Sequence, residues 1–187
     1  SLMFDDLTIE MRISELNFQT PINLDYNENV NKYIRYLVNE RKEVITQSLS
    51  NSSYYFPIFE TYLDKYHLPM ELKYLSVIES GLNPFARSKS GAVGLWQFLL
   101  PTAQLLNLKI NSFVDERQDP IKSTEAACNY LEYIYKMFND WQLAIAAYNG
   151  GPGNVKNARL RSGKNTFCEI KPYLSKETQN YVPAFIA

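Results

Sequence analysis

Apolar residues recur at steps of three and four along most of the chain, and this spacing places them on one face of an α-helix. The first run begins at Glu28, continues to Ile45 and ends in the polar segment 48–53. Further helical runs follow at 55–66, 69–80, 101–106 and 120–138, with others after Asp140 and near Ser175. The pattern therefore predicts a mainly α protein.

Residues with strong local preferences mark the ends of these runs. Gly81 is predicted as the C-terminal stop of the 69–80 helix, and Asp119, Asp140 and Asn154 as N-caps. The stretch 83–97 is predicted as a loop with at most a short β-excursion near 92–97, because glycine and proline interrupt it. The first 27 residues show no sustained period and are predicted to form an N-terminal arm.

Composition narrows the class of protein. The 187 residues are 45% hydrophobic and 21% charged, as expected for one globular domain. A net charge of -1 argues against nucleic acid as a partner and against a polybasic membrane anchor. We expect no transmembrane segment and no signal peptide in these residues. The 14 tyrosines, apolar in the ring and polar at the tip, suit the wall of a wet groove.

The two cysteines and the single histidine do not have the spacing of metal ligands. We therefore expect no metal site and no cofactor. Cys128 falls in an apolar helical pattern and is predicted to lie in the core, whereas the sequence leaves open whether it pairs with Cys168. His67 is predicted to lie at the surface.

Glu79 breaks the hydrophobic pattern of its helix. On a helical wheel it falls on the same stripe as Leu68, Leu72 and Leu75, which should face the core. It also lies in the last turn, where the negative end of the helix dipole disfavours a carboxylate. Both effects predict a raised pKa, as a general acid requires. The alternative is a side chain that reaches solvent from the helix end or pairs with an arginine.

Several blocks around Glu79 occur in a specific order. Glu79-Ser80-Gly-Leu-Asn-Pro is followed by Ser88-Lys-Ser-Gly, Gly94-Leu-Trp-Gln97 and Ala147-Tyr148-Asn149-Gly150-Gly. Together with the segments 114–120, 123–126 and 176–183, these blocks resemble the lytic transglycosylases of peptidoglycan, glycoside hydrolase family 23, and within it the membrane-bound D type. The resemblance implies a goose-type lysozyme-like helical fold over residues 28–187, with a helical extension at 28–67 and a motif-bearing core at 68–187.

The resemblance also assigns roles to residues. It implies that Glu79 is the one catalytic residue, and it implies substrate-binding positions at Ser80, Ser88, Gly94, Gln97, Leu99, Tyr148, Asn149, Gly150 and Tyr181. From the residues alone, Tyr148 could equally be a core residue, Ser88 and Gln97 ordinary loop residues, and the glycines a helix connector. One departure is that Leu99 and Leu100 precede Pro101, where the family usually has a methionine directly followed by the proline. This departure bears on groove shape and specificity.

The implied reaction cleaves the MurNAc-β-1,4-GlcNAc bond without water and leaves 1,6-anhydroMurNAc ends, with one glutamate as acid and then as base. A lysozyme-like hydrolase would need a second carboxylate, for which Asp115, Glu116, Asp119 and Asp140 are available by type. A binding module for peptidoglycan or chitooligosaccharides that lacks turnover is the other alternative. The resemblance further implies a monomer in the bacterial envelope, periplasmic and in some relatives lipid-anchored at the outer membrane, with glycan strands as its partner.

Overall fold

The computed structural model of the protein describes residues 5–187, and helices dominate this part of the chain. In chain order the helices are α1 (Asp6–Asn17), α2 (Glu28–Glu40), α3 (Lys42–Lys65), α4 (Tyr74–Ser80), α5 (Leu100–Leu105), α6 (Pro120–Phe138), α7 (Trp141–Gly150), α8 (Pro152–Ser162), α9 (Phe167–Ile170) and α10 (Lys176–Ile186). Short 3-10 turns lie at Met70–Lys73, Glu116–Gln118 and Lys171–Tyr173. The predicted mainly α class is confirmed, and the predicted β-excursion takes the form of isolated bridges from Val93 to Arg87 and to Phe98.

The chain divides into two compact units. One unit is continuous and contains residues 41–132, with α3, α4, α5 and the first part of α6. The other joins the N-terminal segment up to Glu40 to residues 133–187. In this second unit α10 packs against both α2 and α7, and α7 packs against α8.

The prediction of an irregular N-terminal arm is wrong for residues 6–17, which form α1. Asp5 caps this helix by accepting a hydrogen bond from the Thr8 amide at 2.8 Å. Ile9 and Ile13 are buried in a cluster with Val30 of α2. The stabilising contact thus comes from a residue distant in sequence, which a search for local periodicity does not detect.

The boundary between α2 and α3 also differs from the prediction. The helix that starts at Glu28 ends at Glu40, and the serine-rich run predicted to break it lies inside α3. Within that run, Ser52 donates to the Leu49 carbonyl at 2.6 Å and Ser53 donates to the Ser50 carbonyl at 3.2 Å. These serine hydroxyls are therefore satisfied by the preceding turn of the helix and do not compete with it.

Most predicted helix ends are confirmed. Gly81 ends α4 with φ +61°, Asp119 accepts from the amides of residues 121 and 122, and Asp140 accepts from the Leu143 amide. Ser175 caps α10 by accepting from the Thr178 amide. The predicted cap at Asn154 is wrong, because α8 already begins at Pro152, and the short helix α9 was not predicted.

Within residues 5–187, no helix is both long enough and apolar enough to cross a bilayer. The same part of the chain contains no group of three or more His, Cys, Asp or Glu side chains placed to hold a metal ion.

The two cysteines occupy different environments and do not form a disulfide. Cys128 is buried, as predicted, and burial raises the pKa of its thiol to about 12, whereas Cys168 is exposed on α9. Because the thiolate is the reactive species, we expect one thiol per chain to react with a disulfide reagent at pH 8 and two after unfolding. Cys168→Ser should abolish the native reaction. A rapid native reaction that persists in Cys168→Ser would contradict the burial of Cys128.

Candidate active site

Glu79 lies in the last turn of α4, and its side chain is half-buried. The other members of its stripe, Leu68, Leu72 and Leu75, are buried. The predicted helix over 69–80 is confirmed only in part, because residues 70–73 form a 3-10 turn and α4 begins at Tyr74. Two residues after Glu79, Gly81 adopts φ +61° and donates its amide to the Val77 carbonyl at 2.9 Å. The carboxyl group is therefore carried by a helix end with a defined stop.

Two serine hydroxyls join α4 to the loop that follows it. Ser76, which is fully buried, donates to the Leu95 carbonyl at 2.8 Å, and Ser80 donates to the same oxygen at 2.9 Å. Ser80 also lies 3.0 Å from the Ser76 carbonyl. One main-chain oxygen thus fixes the helical turn that carries Glu79. The hydroxyl of Ser80, a predicted substrate-binding residue, is engaged inside the protein.

Gly94 lies where two main-chain segments meet. Its φ is +89°, and a Cβ atom built at this position would lie 1.9 Å from the carbonyl oxygen of Arg117. Its amide donates to the Ala86 carbonyl at 2.9 Å. Only glycine fits this contact, so the structure gives Gly94 a packing role that the sequence analysis did not predict.

Arg117 is buried and holds the same loop from the side. Its guanidinium donates to the carbonyls of Gly91 and Phe98, each at 3.2 Å. It also donates to both carboxylate oxygens of Asp115, at 2.9 and 2.7 Å. These bonds lower the pKa of Asp115 below its usual value. The arginine therefore closes the loop between residues 91 and 98 with an ion pair that is largely removed from water.

Trp96, the bulkiest side chain of this loop, belongs to the core. Its ring is fully buried, and the ring centroid lies 4.8 Å from that of Phe59 on α3. The indole nitrogen donates to the Thr124 hydroxyl of α6 at 3.0 Å. The loop is thus anchored at its centre as well as at both ends.

Gln97 combines a left-handed backbone, with φ +53°, and a partly committed side chain. Its amide nitrogen Nε2 donates to the carbonyls of Ala86 and Gly94, at 3.2 and 2.9 Å. These bonds fix the orientation of the carboxamide. Its oxygen Oε1 accepts no hydrogen bond from residues 5–187, and so a fixed acceptor remains for a ligand.

The other two predicted residues of this unit are exposed. Ser88 closes the tip of the loop: its hydroxyl accepts from the Ala92 amide at 3.0 Å and lies 2.9 Å from the Ser90 hydroxyl. Leu99 immediately precedes α5 and leaves 44% of its surface accessible. It therefore offers an apolar contact surface beside the loop.

The remaining predicted residues lie in the second unit. Tyr148 is half-buried near the end of α7, and Tyr181 is buried on α10. The Asn149 amide nitrogen donates to Glu177 at 3.0 Å, and its oxygen accepts from Thr178 at 2.9 Å. A Cβ atom at Gly150 would lie 2.5 Å from the same Thr178 hydroxyl. Asn149 and Gly150 therefore fasten α7 to α10.

The four carboxylates considered as a second catalytic group all have structural partners. Asp115 is paired with Arg117, and Asp119 and Asp140 cap α6 and α7. Glu116 accepts from the Lys109 amide and pairs with Lys122, and both contacts lower its pKa. The interpretation of Asp115-Glu116 as a structural turn and of the two aspartates as caps is confirmed.

Three residues that hold predicted site residues in place, each within its own unit, were not predicted individually: Ser76, Arg117 and Thr178. Ser76 and Thr178 are ordinary helix residues in sequence, and only the chain segment each one meets gives it a role. Arg117 did carry a signal, because an arginine two residues after an aspartate can fold back onto it.

Comparison with known proteins now assigns the family. The sequence matches the description "Transglycosylase SLT domain" over residues 56–170, more than half of the chain. The chain belongs to the transglycosylase SLT domain family. It is 34% identical over 177 residues to the membrane-bound lytic murein transglycosylase D of Escherichia coli K12, which covers 92% of this chain and 38% of that relative.

More distant SLT-domain relatives agree. The soluble lytic murein transglycosylase of Escherichia coli K12 is 33% identical over 118 residues, covering 58% of this chain and 18% of that protein. The crystal structure of the 70-kDa soluble lytic transglycosylase from Escherichia coli aligns with a TM-score of 0.61 at 21% identity, over 87% of this chain and 30% of the other. The lysozyme-like SLT fold is therefore confirmed, on a chain that spans well under half the length of these relatives.

The close approach at Gly94 gives a direct test of the loop. Gly94→Ala should cost about 3 kcal/mol or more of unfolding free energy, because the new methyl group overlaps the Arg117 carbonyl. Gly91→Ala is the matched control, since Gly91 has the same φ of +89° and nothing within 4 Å of its Cβ position. It should cost only the backbone strain of about 1–2 kcal/mol. Equal losses in urea unfolding would contradict the contact.

The Asp115–Arg117 pair predicts a pH dependence of stability. The folded pKa of Asp115 lies below its unfolded value of 3.8, so its stabilisation is present above that pH and is lost as pH falls through the folded pKa. Asp115→Asn should lower the unfolding free energy by roughly 1–3 kcal/mol at pH 7 and by less near pH 3. Asp64→Asn, at an exposed carboxylate of α3, is the control. An equal loss at both pH values would contradict the ion pair.

Proposed function

We propose that this SLT domain is a peptidoglycan lytic transglycosylase, a carbon–oxygen lyase with Glu79 as its catalytic residue. The observation that carries the proposal is the position of Glu79, half-buried at the end of α4 and held there by the two hydrogen bonds to the Leu95 carbonyl. The names of the relatives, lytic murein transglycosylases, indicate the substrate class.

In the proposed reaction Glu79 first acts as an acid. It protonates the glycosidic oxygen between N-acetylmuramic acid and N-acetylglucosamine, and the bond to C1 breaks. The 2-acetamido group of the muramoyl ring, or the oxocarbenium-like ion itself, carries the developing positive charge. Partial burial and the helix C-terminus both favour the neutral form of Glu79, so we propose that a raised pKa keeps its carboxyl group protonated near neutral pH and available to donate a proton.

Glu79 then acts as a base. The ionised carboxylate removes the proton of the C6 hydroxyl of the same ring, and O6 attacks C1. The product is a 1,6-anhydroMurNAc end, Glu79 is neutral again and no water is consumed. Attack by a group of the same molecule has a large entropic advantage over attack by free water.

The arrangement of carboxylates favours this lyase reaction over hydrolysis. A hydrolase needs a second carboxylate to activate water or to act as nucleophile. Asp115, Glu116, Asp119 and Asp140 are each bonded to an arginine, a lysine or helix amides. To serve as the second group, any of them would have to give up a contact that stabilises the fold.

We propose that the predicted substrate residues divide into two groups. The first group would contact the glycan. It comprises Gln97 through Oε1, Leu99 through its exposed side chain, Tyr148 near the reacting acetamido group, and Ser88 and Tyr181. The second group would hold α4, the loop after it and the end of α7 in place without contacting the glycan. It comprises Ser80, Gly94, Asn149 and Gly150.

We further propose that the chain acts in the bacterial envelope, where its glycan substrate lies. A relative named as membrane-bound supports this placement. For the whole protein we predict a periplasmic location, lipid-anchored or free, and a monomeric state. The domain boundary at residue 28 and the division at residue 68 also remain predictions.

Glu79→Gln tests the catalytic assignment. We expect release of muropeptides from purified sacculi to fall at least about 100-fold, because the amide can neither donate the proton nor accept it later. Glu71→Gln removes the same charge from the turn before α4 and should leave the rate unchanged.

Mass spectrometry of the released muropeptides tests the reaction type. Anhydromuramoyl ends are expected from the wild-type protein. Reducing muramic acid ends would replace this proposal by the lysozyme-like hydrolase, and an unchanged rate in Glu79→Gln would refute Glu79 as the acid. Binding of sacculi without release would favour the binding module.

A further inference from the structure

A second concave site lies next to the Glu79 helix. It is a pocket of about 320 Å³ within the unit of residues 41–132, in the lower part of the range typical of small-molecule sites. One wall comes from α3 and the other from the chain just after Glu79. The lining residues are Val44, Gln47, Asn51, Tyr55, Ser80, Gly81, Leu82, Asn83 and Pro84.

The α3 wall lies N-terminal to the segment that the family model matches. Its four residues, from Val44 to Tyr55, recur at helical spacing on one face of α3, and all precede residue 56, where the family match begins. The opposite wall, residues 80–84, follows directly on Glu79. The pocket therefore joins α3 to the loop that follows the proposed catalytic residue.

The chemistry of the walls selects a neutral polar ligand. Gln47, Asn51 and Asn83 contribute carboxamides, and Tyr55 contributes an aromatic ring with a hydroxyl group. None of the described residues that line the pocket is charged, so it offers no counter-charge for a phosphate or a carboxylate. Carboxamides donate and accept hydrogen bonds at once, as sugar hydroxyl and acetamido groups require.

We propose that this pocket binds an N-acetylhexosamine unit of a glycan, as a sugar subsite built by α3 beside the Glu79 helix. The identification of the glycan as murein rests on the proposed function. Gln47 and Asn51 bond the hydroxyl and acetamido groups, and Tyr55 packs against the sugar ring. The chain thus gains contact with its polymer beyond the family match at residues 56–170.

Titration calorimetry with a tetramer of N-acetylglucosamine tests the subsite, using the full chain with Glu79→Gln to prevent turnover. Adding Gln47→Ala and Asn51→Ala together should raise the dissociation constant about 10-fold, because two hydrogen bonds are lost. Gln104→Ala, which removes an exposed carboxamide of α5, should leave it unchanged. Cellotetraose, which lacks acetamido groups, should bind more weakly. Thermal melting of each variant reports that it is folded.

The outcomes separate the two proposals. Equal binding by the double variant and its parent would overturn the subsite even if anhydro products form, and so would equal binding of cellotetraose. If a free stem peptide, rather than the sugar tetramer, loses binding in the double variant, the pocket takes peptide and the proposal is overturned. If tetramer binding does depend on residues 47 and 51 but the protein releases reducing ends, only the transglycosylase reaction is overturned.

Discussion

The carbonyl oxygen of Leu95 accepts hydrogen bonds from Ser76 and Ser80, and this contact determines where the proposed acid sits. Helix α4 is only seven residues long, so its own hydrogen bonds could not hold its last turn rigidly. The two hydroxyls compensate by attaching that turn to the neighbouring loop. A carboxyl group must be held within a fraction of an ångström to exchange protons with a sugar oxygen, and the serines provide that restraint without charge.

The restraint works only because the loop itself is immobile. Arg117 bonds the main chain at residues 91 and 98, Gly94 touches the Arg117 backbone, and Trp96 is buried against α3 and α6. These contacts are largely between main-chain atoms and buried groups. Side chains at the surface, such as Leu99 and the oxygen of Gln97, are then available for a ligand. Within this short segment, some residues therefore hold the main chain in place, and others leave their side chains exposed for a ligand.

Local sequence signals correctly predicted several helix ends, because these are determined by contacts between residues close together in the sequence. Asp119, Asp140, Ser175 and Gly81 mark helix ends because the side chain, or its absence, acts on the adjacent backbone. The signals failed at α1, which depends on the distant residue Val30, and at the serine-rich run of α3, where the hydroxyls of Ser52 and Ser53 bond to the preceding turn. In the candidate site, the apolar stripe singled out Glu79, and the resemblance of the surrounding blocks assigned it the catalytic role, which stays a prediction. The sequence could not distinguish glycines that face a ligand from those that admit a neighbour, as Thr178 does at Gly150.

The pairing of α2 with α10 imposes an order on folding during synthesis. These helices belong to one compact unit, but the 92 residues of the other unit separate its two parts in the chain. A ribosome adding about 5–20 residues per second takes roughly 5–20 s to make that insert. Helix α2 must wait through this interval, and longer, until residues 176–186 have been made. The inserted unit is complete before then, so the segment bearing Glu79 can acquire its structure while the nascent chain is still attached.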